Sequence, residues 1–68
     1  MTLGPSNIQK YNNMMSQARD CEKVRNWQHA EKLWKQCHEL AVKNHWDVKA
    51  QWCINRSTFC EMMAKRAA

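Results

Sequence analysis

When successive residues are set about 100° apart around a helix axis, three stretches of the chain each collect their apolar side chains on one side. In residues 7–24, Ile8, Tyr11, Met14, Met15, Ala18 and Cys21 fall within an arc of roughly 140°. In residues 27–43, Trp27, Ala30, Leu33, Trp34, Cys37, Leu40 and Ala41 share an arc of similar width, opposite Lys32, Lys35, Gln36 and Glu39. In residues 47–65, Val48, Cys53, Trp52, Phe59, Cys60 and Met63 group together with Trp46, while Lys49, Gln51, Asn55, Thr58 and Glu61 lie largely elsewhere. The pattern predicts three amphipathic helices.

End signals agree with these bounds. Ser6, with Gln9 three residues on, has the form of a capping box. Asn26 is placed to cap the second helix, and Asn44 or Asp47 the third. Lys43 suits the negative end of the second helix dipole. The connections span only a few residues, and links that short join antiparallel neighbours. The expected fold is all-α, a three-helix antiparallel up-down-up mini-bundle filling a single domain, with residues 1–6 extended or disordered.

Two charges fall inside the apolar arcs. Glu22 lies within that of the first helix and Arg56 in the middle of the third. A buried charge is costly unless it meets an opposite one, and an arginine fork can grip a carboxylate with two hydrogen bonds. A structural ion pair between Glu22 and Arg56 is expected. The alternative is that Arg56 reaches outward to a partner's acid or a phosphate.

Composition adjusts this picture in three ways. Sixty-eight residues give a thin core, so regular helix packing or self-association has to supply support. The single Gly and single Pro, Gly4 and Pro5, leave no strong helix breaker downstream. The start of the chain has no secretory signal pattern, and no stretch approaches the about 20 apolar residues of a membrane span. A soluble, cytoplasmic protein is therefore expected, whose Cys21, Cys37, Cys53 and Cys60 are reduced, buried thiols.

Chemistry is harder to assemble. Four Cys with His29, His38 and His45 raise the question of zinc, but the cysteines stand sixteen, sixteen and seven residues apart, far from tight C-x2-C pairing. Cysteine catalysis needs a thiolate beside a base in a pocket, which a thin bundle does not readily provide. There is no Gly-rich phosphate loop. No metal, cofactor or catalytic residue is assigned, and the expected role is binding, not catalysis. The formal charge of +5 is spread from Lys10 to Arg66 without a basic block. Lys32, Lys35 and Lys43 on the second helix do not form a recognition helix, which disfavours specific DNA readout.

The aromatic residues Trp27, Trp34, Trp52 and Phe59 are assigned to the core. Val24, Val42, Ile54 and Met62 point outward on the wheels; with Ile8, Tyr11, Met14 and Met15 they form a candidate partner-binding surface. Scattered exposed apolar residues are also ordinary on any protein.

The run Ala18-x2-Cys21-Glu22, then Asn26-Trp27-x2-Ala30-x2-Leu33-Trp34-x2-Cys37, and the ending Trp52-x3-Arg56-x2-Phe59-Cys60, resembles the ANR family, the small AraC negative regulators of enteric bacteria and their phages. The likeness covers roughly residues 11–66, and PerC-like regulators look like relatives. It implies a non-enzymatic transcriptional regulator that binds an AraC-type virulence activator and blocks its assembly or DNA binding. Some members of the family are also linked to the nucleoid protein H-NS. A homodimer, or a surface completed by the partner, fits this reading. A PerC-like activator touching DNA or the transcription machinery, and a phage adaptor protein, are the alternatives. Asn26-Trp27-x2-Ala30-x3-Trp34 is also similar to a tetratricopeptide-type repeat, of which one and a half helical hairpins fit the chain.

Overall fold

In the computed structural model, which describes residues 6–67, the chain forms α1 (Asn7–Lys23), α2 (Trp27–Lys43) and α3 (Asp47–Ala67). No strand occurs among the described residues. Most of the stretch 1–6, expected to be extended or disordered, lies outside them; Ser6 itself is extended, at φ −65° and ψ 160°. Tyr11 on α1 sits beside Trp46 and Cys53, at the start of α3, and Glu22 at the other end of α1 meets Arg56 and Cys60. The order is therefore up-down-up, with α2 packed against both neighbours.

The helix starts differ in how they are closed. At α1 the Gln9 N–H donates to Ser6 Oγ at 3.2 Å and the Ser6 N–H donates to Gln9 Oε1 at 3.1 Å, a complete capping box. Asn26 holds the N-cap position of α2, but its side chain makes no capping hydrogen bond. Neither Asn44 nor Asp47 caps α3. Trp46 precedes that helix, with its carbonyl accepting from the Ala50 N–H at 2.8 Å, and Asp47 already stands in the first turn, where its charge opposes the helix dipole. Asn44 instead closes α2: its Nδ2 donates to the Leu40 carbonyl and its Oδ1 accepts from Asn7, both at 2.8 Å.

Both turns use the same main-chain device. The Asn26 and Arg25 N–H groups donate to the carbonyls of Cys21 and Glu22, and the Trp46 and His45 N–H groups donate to those of Ala41 and Val42. This is the Schellman pattern, with a left-handed residue after the helix. Glycine normally fills that place, but here Arg25 (φ 63°) and His45 (φ 59°) do.

The core contains Tyr11, Ala18, Ala30, Leu33, Trp34, Cys37, Ala41, Ala50, Cys53 and Cys60. On α2 these are the residues of the sequence stripe. On α3 the buried seam is Ala50, Cys53, Ser57 and Cys60, small side chains at spacings of three and four; Cys53 and Cys60 are buried as the wheel assigned them and Trp46 packs against the core, but the large side chains Val48, Trp52 and Phe59 turn outward. Val48 is 84% exposed, Trp52 44% and Phe59 39%. Trp34, Leu33 and Tyr11 from the other helices already fill the interior, so only small residues fit opposite them at native packing density.

Candidate functional site

At the far end of α1 from Tyr11, the contact with α3 centres on one carboxylate. Arg56 donates from Nη2 to Glu22 Oε1 and from Nε to Oε2, the latter at 3.1 Å. Trp34 Nε1 donates to Glu22 Oε2, and Cys60 Sγ lies 3.5 Å from the same oxygen. Burial pushes the Glu22 carboxyl up, but the hydrogen bonds from Arg56 and Trp34, the Arg56 charge and the Cys60 thiol outweigh it, leaving it below the usual range. The Glu22 bond in turn raises Arg56. The structure thus joins Glu22 and Arg56, and adds two donors that the sequence did not single out. A buried Trp needs an acceptor for its N–H, and Glu22 inside an apolar arc was the available one.

The same guanidinium has a second contact. Its centre lies 4.4 Å from the middle of the Phe59 ring, and Phe59 meets Trp27 edge-on at 5.9 Å between centroids. One turn back along α3, Trp52 packs edge-on against Trp34 at 5.0 Å. Trp52, Arg56 and Phe59 therefore form a partly exposed stripe whose buried edges rest on α2 and α1. Of the four aromatic residues assigned to the core, only Trp34 is fully enclosed; Trp27 is half-buried, and Trp52 and Phe59 belong to the surface.

The candidate partner-binding set is dispersed. Tyr11 is buried, with its hydroxyl 3.3 Å from Cys53 Sγ, so it cannot meet a partner. Met14 and Met15 are half-buried against the core, and Ile54 is half-buried. Ile8 and Met62 are exposed but lie at opposite ends of the bundle, since α1 begins near the α2–α3 turn and Met62 is on the last turns of α3. Val24 and Val42 are exposed singly. Helix wheels report direction from one axis only, whereas burial here is set by the packing of α1 and α3 on either side of α2.

The thiols have no acid–base partner suited to activation. Burial pushes Cys37 and Cys60 up to about 12, helped by Cys53 and by the Glu22 charge respectively, and burial also raises Cys53. Among the described residues no three His, Cys, Asp or Glu side chains converge as a metal site. No helix there is long and apolar enough to cross a membrane. His38 ties α2 to α3 through Nδ1 and the Ala50 carbonyl at 2.9 Å. A cleft of roughly 610 Å³, lined by Glu22, Lys23, Arg25, Trp27, Met63 and Arg66, opens beside the α1–α2 turn. In comparisons with protein-family models, curated proteins and solved structures, nothing matches the chain.

Proposed function

We propose that the chain is a non-enzymatic transcriptional regulator that binds an AraC-type activator and thereby lowers the virulence gene expression the activator drives. The observation that carries this reading is the exposed stripe Trp52–Arg56–Phe59. Tryptophan and arginine are the residue types that dominate binding energy at protein interfaces, above all when held rigid from behind. Here Trp34, Trp27 and Glu22 hold them. The stripe also coincides with the W-x3-R-x2-F ending on which the family resemblance chiefly rests. An activator seated on this face would be kept from its own assembly or from its promoter.

Co-purification of the chain with an AraC-type activator from the same cell, followed by a gel shift of that activator on its promoter, tests both steps. Capture together with loss of the shifted band is the expected result, and Trp52→Ala combined with Phe59→Ala should abolish both. Capture that leaves the promoter occupied would count against the mechanism. If the chain itself shifts DNA, and does so less as salt rises, the PerC-like reading replaces it.

A further inference from the structure

We propose that the cleft beside the α1–α2 turn is a receptor for a short acidic segment of a protein, a contact separate from the aromatic stripe. The inference rests on the protein-binding reading above and specifies one chemistry of the partner. Three elements contribute cations to the cleft: Lys23 ends α1, Arg25 sits in the turn and Arg66 lies at the end of α3. None of the three makes an ion pair among the described residues, whereas Lys35, Arg56 and Lys65 are each paired with a glutamate. The single acid in the lining, Glu22, does not neutralise them, because its oxygens are engaged by Arg56, Trp34 and Cys60. What distinguishes the cleft is that it gathers three uncompensated cations around one concavity that also has apolar walls.

Its remaining lining selects the kind of anion. Trp27 and Met63 supply apolar surface, so the best ligand carries carboxylates on either side of an apolar side chain. At roughly 610 Å³ the space suits a few residues, within the about 300–1,000 Å³ range of ligand sites. A nucleic acid is a poorer fit. Duplex binding is built on a track of about 6–10 phosphate contacts, and three cations around one concavity do not continue into such a track.

The test uses the full chain and a fluorescein-tagged peptide of alternating glutamate and phenylalanine, with a glutamine–phenylalanine peptide and an oligonucleotide of matched charge as comparisons, read by anisotropy. Saturable binding of the acidic peptide alone is expected. It should weaken about tenfold or more, or 1.4 kcal/mol, in the triple variant Lys23→Gln, Arg25→Gln, Arg66→Gln. The control triple Lys10→Gln, Lys43→Gln, Lys49→Gln removes the same charge at the opposite end of the bundle and should bind as the parent does. Equal weakening in both triples, tighter binding of the oligonucleotide, or no binding of the acidic peptide would overturn the proposal. Co-purification of the activator with the cleft triple separates the two readings. Undiminished capture overturns the cleft as a partner contact and leaves the regulator standing. Peptide binding in the cleft without capture of any activator supports the receptor and removes the regulator.

Discussion

Glu22 is 12% exposed at its side chain and accepts from three residues on two other helices, so its charge state is tied to folding. Because its folded pKa is depressed, its contribution is present in full above the ordinary glutamate value of about 4.3 and is lost as pH falls through the lowered folded value. Glu22→Gln should therefore cost about 1–2 kcal/mol at neutral pH by urea unfolding, toward the lower end because Arg56 can turn to water. The gap between parent and variant should close on acidification; a gap that stays constant down to the acid transition would refute the linkage. The cysteines give a second residue-scale expectation. Cys21 is half-buried, while Cys37, Cys53 and Cys60 are enclosed. A thiol reagent should modify Cys21 in the native protein and reach the other three only at the rate of unfolding. Rapid reaction of all four would contradict the packing.

At the scale of the elements, the two identical turns mark where stability was left unused. A non-glycine residue in the left-handed region costs roughly 1–2 kcal/mol, partly offset in the unfolded chain when glycine replaces it. His45→Gly should raise stability by about 0.5–1 kcal/mol, seen as a higher urea midpoint with an unchanged slope. On α3, Ser57 lies in a seam of small residues, and Ser57→Leu should overpack it at a cost of about 1–3 kcal/mol in the same assay. These elements also separate what was legible in the sequence from what was not. The bounds of α2 and its buried stripe could be read directly, because Ala30, Leu33, Trp34, Cys37 and Ala41 lie on one side and charges on the other. Likewise Ser6 and Gln9 announced the start of α1. The facing of α3 could not be read, because apolar residues surround it on nearly every side; which side is buried depends on bulk supplied by Trp34 and Tyr11 from elsewhere. The left-handed Arg25 and His45 carry no glycine or asparagine signal at all.

For the whole molecule, the four tryptophans divide into structural and surface roles. Trp34→Ala should destabilise by roughly 3–5 kcal/mol and also strip Glu22 of a donor. Trp52→Ala, at a site 44% exposed, should leave a cooperative melt close to that of the parent while removing partner capture. If both variants lost fold and capture in parallel, the stripe would be part of the scaffold and not a recognition face. The Glu22–Arg56 ion pair and the aromatic stripe draw on residues flagged from sequence. The basic cleft does not, because Arg66 lies about forty residues beyond Lys23 and Arg25 and only the up-down-up course of the helices brings the end of α3 back to the end of α1.

Arg56 belongs to two structures at once: one edge of its guanidinium is held by Glu22, and its central carbon lies over the Phe59 ring. Occupancy of the surface and closure of α1 onto α3 are therefore thermodynamically linked. A molecule that settles on Phe59 and shields Arg56 from water strengthens the grip on Glu22, and anything that loosens Glu22 weakens the surface by the same free energy. The amides of α1, which never touch such a molecule, should exchange with solvent more slowly when it is bound.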